Sequence, residues 1–596
     1  MPALFYKVGR FMEKWFEIRK GGDYKQIGDH YGISPELARL IINREVSQED
    51  IPAFLEPSLD RLYAPELLKG AVETADMIIT ALREGTRIRI VGDYDIDGVF
   101  SAYILDRCFR ECQIRLLQRE NRELIDVILP HRIKDGYGLN MDIIRQADRD
   151  GVGLLVTCDN GISAIAEIRE AKNLGMRVIV TDHHEVLFHE EEGEKVYELP
   201  AADVIVNPKQ PDCPYPFKLL CGGAVAYKLS LLLYKRAGFD WGADRLLEYA
   251  AFATIGDVME LKGENRIIAA LGLKMLEDTD NQGLRLLMER CKIKKPVRCF
   301  DVGFILGPCI NAAGRLESAM EALELLQARD MLQAAQIAKR LTELNDERKK
   351  LTEEGFMKAQ EQLSKKPELP KVLVVYLPQI HESIAGIIAG RLREKYERPS
   401  IVLSSCQIGL KGSGRSIEAY DMHKALVKRR ELFYKFGGHP MAAGLSILAA
   451  DDEERRKKAR LLERLLNEDA LLTEEDFVKR VRFDMQLPFG RINAGLIRDI
   501  ERLEPCGTGN PPALFGAAGI SFCNGRVMGQ KKNCYKAMAA DERGSLIEAV
   551  AFGNGEEIAG ELGENERNII LFTPEINEYN GRSLLQIKIN GHKRMP

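Results

Sequence analysis

Along this chain the apolar positions change period several times, and each change marks a different kind of element. The stretch to about residue 70 is expected to be helical: in YGISPELARLIINREV a Ser34-Pro35 start precedes apolar residues at helical spacing. From Thr86 to about Pro208, short β-branched runs (RIRIVG, GLLVTC, MRVIVT, ADVIVNP) alternate with helical segments such as SAIAEIREAKNLG. That order builds a parallel sheet with helices on its faces. A mostly helical stretch follows from Gly222 to about Lys292.

Between roughly Leu323 and Leu363 the chain has no proline and a single glycine, Gly355, while Ile337, Ala338, Leu341 and Leu344 share one helical stripe. About 40 residues of unbroken helix would span roughly 60 Å, enough to join two domains. After Pro367-Glu368-Leu369-Pro370 the run KVLVVYL opens a second α/β unit that ends near Leu448. The charged segment DDEERRKKARLLERLLNED reads as a helical link. From about Phe477, alternating runs such as IEAVAFG and SLLQIKI predict a small β-barrel.

Length and composition narrow the class. A chain of 596 residues exceeds one hydrophobic core, so three to five domains are expected. A 45% hydrophobic and 29% charged composition excludes fibrous or largely disordered classes. No apolar run reaches membrane-span length, and MPALFYKVGRFMEKWFEIRKGG lacks a signal-peptide core, so a cytoplasmic location is expected. The twelve cysteines form no C-x-x-C pair and read as buried free thiols rather than zinc ligands. A net charge of −5 does not advertise a nucleic-acid binder, nor does it exclude one, because local distribution decides.

The carboxylates change the picture most. Asp93, Asp95 and Asp97 follow RIRIVG, Asp159 follows GLLVTC, and Asp182-His183-His184 follows RVIVT. In open α/β sheets these strand ends share one edge, where ligands bind. Asp257, closing the helical run LLEYAAFATIGD, can reach the same edge. Like charges so close need a cation among them, and mixed carboxylate and imidazole ligands suit Mn²⁺ or Mg²⁺. A lone Asp after a strand is more often a helix N-cap. Three acid-bearing strand ends, one with an adjacent pair from only nine histidines, are hard to explain by capping.

GDYDIDG, VTCDNG, TDHHE and ATIGDVMEL look like the successive motifs of the DHH phosphoesterase superfamily, and their order and spacing resemble RecJ-type single-strand exonucleases. The resemblance continues through LPHRIKDGYGL, VNPKQPDCPYPFKLLCGGAVAYKL and GPCINAAGRL, then KGSGRS and FGGHPMAAGL of a DHHA1 domain, and LEPCGTGNPPALF at the start of an OB-fold region. It implies an α/β protein with two α/β domains, DHH and DHHA1, joined by a long helix, with a helical N-terminal cap and a C-terminal OB-fold barrel. The boundaries expected are 1–70 for the cap, 71–322 for DHH, 323–366 for the connecting helix, 367–450 for DHHA1, 451–476 for a helical link and 477–596 for the OB-fold.

Carried onto matching positions, the resemblance implies that Asp95, Asp97, Asp159, His183 and Asp257 bind the metal ions, with Asp93 as a ligand or close support. Asp159 would bridge two cations and His184 would contact the scissile phosphate. Arg132, Arg315, Ser413 and Arg415 would hold nucleotide phosphates, and His439 would sit near the substrate. The implied activity is metal-dependent 5′→3′ hydrolysis of single-stranded DNA to mononucleotides in repair and recombination, by a monomer, with single-strand binding protein and a RecQ-type helicase as partners. Two other readings stay open: a DHH phosphodiesterase for small oligoribonucleotides or cyclic dinucleotides, and a non-catalytic replication scaffold of the Cdc45 type.

Some positions depart from the pattern. Val91 stands where many relatives have His, Cys309 and Cys506 where Arg and Phe are usual, and Ile380 where Trp is common. In NGRVMGQKKNCYKA, Lys531, Lys532 and Lys536 with Tyr535 read equally as a solvated hairpin or as a DNA contact.

Overall fold

The sheet has five strands, β1 (Ile88–Val91), β2 (Ile125–Ile128), β3 (Leu154–Cys158), β4 (Arg177–Thr181) and β5 (Val204–Val206); the four expected runs form all of them but β2, which the sequence reading missed. All pairings are parallel, in the order β2-β1-β3-β4-β5. β1 and β3 are buried at every position, as strands covered on both faces must be. The computed structural model describes residues 6–8, 11–118, 121, 123–191, 193–239, 243–563, 566–579 and 582–595. Strand order reverses between β1 and β3, which opens a crevice at their carboxyl ends.

Three helices pack around that crevice: α1 (Ile96–Leu117), α2 (Gly222–Ala237) and α3 (Leu247–Gly256). Phe100 of α1 stacks on Phe252 of α3 with ring centroids 4.3 Å apart, fixing their spacing. A π-helical turn, Asp301–Leu306, runs directly into α4 (Gly307–Leu316). The expected connecting helix breaks once. Met320–Gln327 ends first, and Asp330, accepting from Gln333 N at 2.8 Å, caps a new helix, α5 (Met331–Ser364). Its 34 residues span about 51 Å.

α5 leads to a second sheet: β6 (Leu373–Tyr376), β7 (Ser400–Cys406), β8 (Gly409–Arg415), β9 (Lys435–His439) and β10 (Ala442–Leu448), ordered β6-β7-β8-β10-β9. Only β6 and β7 are parallel. Helix α6 (Ala385–Tyr396) connects them. Residues 57–470 and 507–509 form one compact unit. Among the described residues no helix is long and apolar enough to cross a membrane.

Residues 1–56, 471–506 and 510–596 form the other unit. Here Phe515–Met528, Cys534–Ala540, Leu546–Phe552, Arg582–Arg594 and Asn568–Tyr579 pair in that order, and the first pairs back onto the last, closing an OB-type barrel. One expectation needs correction. The opening segment does supply helices (Tyr24–Tyr31, Pro35–Asn43, Ile51–Leu55), but Leu37, Ile41 and Phe54 belong to the same core as Phe515, Phe572 and Ile587 of the barrel. Phe11–Glu17 is a strand, paired in parallel with Lys479–Phe483. FMEKWFE has no period of two, and its partner lies more than 450 residues away in sequence, so local spacing gave no sign of the strand.

The basic hairpin, left open between two readings, leans toward the solvated one. On Cys534–Ala540 alternate residues point inward, so Tyr535 is buried in the barrel core. Lys532 and Lys536 each meet a glutamate, Glu556 and Glu548, at 2.6 Å. The patch is not a stacking platform.

The opening segment is held to the barrel by a buried ion pair. Asp484 accepts from Arg44 Nη1 at 3.1 Å, Asn43 Nδ2 at 3.2 Å and Leu514 N at 3.0 Å. Removing one partner of such a pair strands the other charge. Asp484→Ala should therefore cost about 3–5 kcal/mol of unfolding free energy in urea denaturation; a loss under about 1 kcal/mol would show that the pair is not the tie described.

Candidate metal centre and phosphate pocket

The motif after β1 is shaped by close packing. A Cβ at Gly98 would lie 2.4 Å from the carbonyl oxygen of Asp93, so only glycine lets α1 start directly over that residue. Asp95 is the N-cap of α1, its Oδ1 accepting from Asp97 N at 3.0 Å and Gly98 N at 3.2 Å. Asp97, in the first turn of α1, is gripped from the opposite direction: Gly222 N and Gly223 N, the first amides of α2, donate to its two oxygens at 2.6 and 2.7 Å. A helix N-terminus favours that negative charge.

Asp159, after β3, adopts φ +60°, a left-handed conformation that Asp tolerates better than most residues. Asp257 caps the end of α3, and the next residue, Val258, lies at φ +59°, with Val258 N and Met259 N bonding back to Ile255 O and Thr254 O. This is a Schellman ending with valine where glycine is usual. Strain of this kind concentrates at functional sites. Asp182, after β4, accepts from Ile162 N, His183 N and His184 N, which fixes the adjacent histidines.

The side chains converge. His183 Nε2 lies 3.0 Å from Asp159, 3.4 Å from Asp97 and 3.8 Å from Asp257. Asp159 Oδ1 and His183 Nδ1 are buried and form no hydrogen bond. Three sets of potential ligands emerge: Asp93, Asp95 and Asp159; Asp97, His183 and Asp257; and Asp159, His183 and His184. Asp159 belongs to two of them, as a bridging carboxylate would. Burial, then the charge of Asp95, pushes Asp93 up to about 8; burial, then Asp97, does the same to Asp257. Burial and Asp97 raise Asp159 well above its ordinary value, and burial lowers His183. Orphaned ligand atoms and mutually repelling acids fit divalent cations bound by hard oxygen donors with one or two imidazoles.

Beside this cluster lies the opposite charge. Arg315, near the end of α4, is held by the Ser383 carbonyl at 2.9 Å, and burial followed by the charges of Arg132 and Arg348 lowers it to about 10. Arg132 lies over the Tyr94 ring at 3.8 Å with its Nε buried and unpaired. Arg415 of β8 donates to Ser413 Oγ at 3.2 Å, and a Cβ at Gly386 would crowd both residues. Guanidinium groups massed with so little counter-charge fit phosphate oxygens.

Comparison with known proteins now bears on the geometry. Three family models match: the DHH family N-terminal domain over residues 87–255, the DHHA1 domain over 369–467 and the RecJ OB domain over 483–591. The single-stranded-DNA-specific exonuclease RecJ of Escherichia coli is 33% identical, across 92% of this chain and 98% of its own length. The chain belongs to the RecJ family. RecJ of Bacillus subtilis is 34% identical across 95% of this chain and 69% of its own length. The crystal structure of Thermus thermophilus RecJ with Mn²⁺ is similar at a TM-score of 0.79 and 26% identity, covering 98% of this chain and 80% of that one; the same protein is also known with Mg²⁺.

Family membership agrees with where the residues fall. The structure brings Asp93, Asp95, Asp97, Asp159, His183, His184 and Asp257 together, and gathers Arg132, Arg315 and Arg415 nearby. His439 lies farther out. It is exposed, level with Arg415 across Ala442 on neighbouring strands, about 10 Å away by sheet spacing. Sequence reasoning missed Tyr137, whose hydroxyl donates to Asp159 O at 3.1 Å and lies 3.2 Å from His184 Nδ1. It also missed the roles of Gly222-Gly223 and of Arg348. CGG was visible as a motif, but nothing local pointed those amides at Asp97.

The raised carboxylates have a sign that can be tested. Without cations, native Asp93 and Asp257 keep protons that the unfolded chain releases near pH 4, so their contribution to stability falls as pH rises from about 4 through about 8. Cation binding displaces those protons. Calorimetric titration with Mn²⁺ in buffers of different ionisation heat should show net proton release near pH 7, and thermal stabilisation by Mn²⁺ should be larger at about pH 8.5 than at about pH 6. Proton-neutral binding would refute the assignment of these acids as ligands.

Proposed function

We propose that this chain is a divalent-metal-dependent exonuclease that degrades single-stranded DNA from its 5′ end to 5′-mononucleotides, in DNA repair and recombination. One observation carries the reading: a ligand set for hard cations and a concentration of arginines without matching acids lie side by side in one compact unit. Phosphodiester hydrolysis needs both. Membership of the RecJ family, whose relatives are named single-stranded-DNA-specific exonucleases, supports the substrate.

Each residue then has a task. Asp95, Asp97, Asp159, His183 and Asp257 would hold two cations, with Asp93 bound by Gly138 N at 3.2 Å as ligand or support. When bound, the cations supply an activated water and stabilise the leaving oxygen. His184 is half-exposed. Burial would lower its pKa, but its bond to Asp182 at 2.8 Å and the surrounding carboxylates raise it to about 9, so the ring is an imidazolium that can bind the scissile phosphate. Arg132, Arg315, Ser413 and Arg415 would hold the phosphate of the terminal nucleotide, adding positive charge where the transition state gains negative charge. His439, on the same end of the second sheet, would contact the strand farther along.

The RecJ OB domain match favours a long strand over a dinucleotide, because OB-folds bind extended single strands. The intact acid and histidine set favours an enzyme over a scaffold. The protein would act as a monomer, with single-strand binding protein and a RecQ-type helicase supplying its substrate.

Incubation with Mn²⁺ and end-labelled strands tests this directly. Loss of label as mononucleotide from the 5′ end, abolished by chelation, is expected; initial release from the 3′ end or preference for RNA would overturn it. Asp159→Ala should reduce the rate at least about a thousandfold while circular dichroism stays unchanged, since a lost bridging ligand releases cations. Blunt duplex should be degraded far more slowly than single strands; equal rates would exclude a channel fitted to one strand.

A further inference from the structure

Outside the metal centre two thiols stand within reach of each other. Cys309 is buried in α4, and Cys291 follows the helix Gln282–Arg290 at a partly exposed position. Their sulfurs are 4.0 Å apart. Cys309 Sγ also accepts from Asn345 Nδ2 at 3.4 Å, and Asn345 Oδ1 accepts from Arg348 Nε and Nη2 at 3.1 and 2.9 Å. Arg348 is one of the cations whose charge bears on Arg315. Close contacts therefore link a partly exposed thiol, through Cys309 and Asn345, to Arg348, a cation whose charge is felt at Arg315.

We propose that Cys291 and Cys309 form a reversible disulfide when the protein meets a peroxide, and that this modification weakens the hold on phosphate by releasing Asn345 and Arg348. Cys291 is the attacking thiol. It is accessible, and its pKa is lowered by the Cys309 thiol and then by Lys349 and Arg290, which favours the reactive thiolate. Its sulfur attacks one peroxide oxygen, the O–O bond breaks, and a sulfenic acid and hydroxide result. Cys309 then gives up its proton, its sulfur displaces the sulfenic hydroxyl, and the proton leaves with that hydroxyl as water. Overall two thiols and one hydrogen peroxide yield one disulfide and two waters. A dithiol reverses the step by exchange.

Closing the gap to about 2.05 Å turns the Cys309 sulfur toward Cys291 and away from Asn345. The molecule carries its own control: Cys108 and Cys112 also neighbour each other, but both are fully buried and beyond the reach of oxidant.

The test uses the full chain treated with a slight excess of hydrogen peroxide, alkylated and digested without reduction. Mass spectrometry should find a peptide pair joined through Cys291 and Cys309, lighter by two hydrogens, absent after dithiothreitol and absent in Cys291→Ser. A folded protein in which Cys291 is oxidised but unlinked, or in which Cys108 and Cys112 join first, overturns the proposal. Losing one hydrogen bond behind Arg348 should weaken binding of a 5′-phosphorylated single strand about two- to tenfold in the oxidised wild type. Cys291→Ser should keep its affinity under the same treatment. This second arm rests on the phosphate pocket proposed above, whereas the mass arm does not. A linked pair with unchanged DNA affinity would overturn the proposed consequence and leave the site standing, while absence of DNA hydrolysis before oxidation would count against the functional reading alone.

Discussion

The structure turns on the cost of putting several carboxylates in one buried place. Asp93, Asp97 and Asp159 are almost wholly buried and influence one another strongly. Such a group is tolerable in three ways: protonation, a cation, or dipoles aimed at it. Each is present. Asp93 and Asp257 are driven toward the protonated form, Asp97 takes two backbone amides from α2, and the whole group leaves unpaired ligand atoms facing inward. The fold around β1 and β3 follows from meeting these demands together. The glycines at 98, 222 and 223 exist because a Cβ at any of them would collide with the acids, with their backbone or with α3.

That constraint explains why the positive charges stand where they do. A phosphate diester approaching a bare acid cluster is repelled; approaching a cluster filled by cations and bordered by Arg132, Arg315 and Arg415, it is attracted. Burial that lowers Arg315 to about 10 is the mirror image of burial that raises Asp93 to about 8. Both groups are poised for partners carrying the opposite charge. The net charge of −5 hides this, because acids and bases are segregated within the site rather than absent.

Much of this was legible in the chain, for identifiable reasons. Strands buried on both faces read as continuous apolar runs, so the acid-bearing ends of β1, β3 and β4 were plain, whereas the half-buried β2, with Asp126 inside it, was not. The DHH, DHHA1 and OB order was plain from motifs. What escaped lies in pairings between distant segments. Phe11–Glu17 pairs with Lys479–Phe483, and Arg44 with Asp484, so a segment that looks like a separate cap is part of the barrel's core. Tyr535 reads as a base-stacking aromatic among lysines until the strand's period of two turns it inward. Tyr137 and Arg348 carried no local signal, since a tyrosine in a glycine-rich loop and an arginine in a charged helix are ordinary surface residues until the chain folds.

The departures from the usual pattern take on meaning in the same way. Val91 is fully buried within β1, where a ring nitrogen would need a partner of its own; Asp93, two residues on, is held by Gly138 N and stands with Asp95 and Asp159 as a ligand set that needs no imidazole there. Cys309 puts a small thiol where Arg is usual, and its sulfur accepts from Asn345 Nδ2, whose Oδ1 in turn accepts from Arg348 of α5. A guanidinium held through a neutral amide and a thiol is held less firmly than one paired with a carboxylate. Arg315 and Arg348 are both steadied by neutral oxygens, the Ser383 carbonyl and Asn345 Oδ1, so neither bond cancels the guanidinium charge.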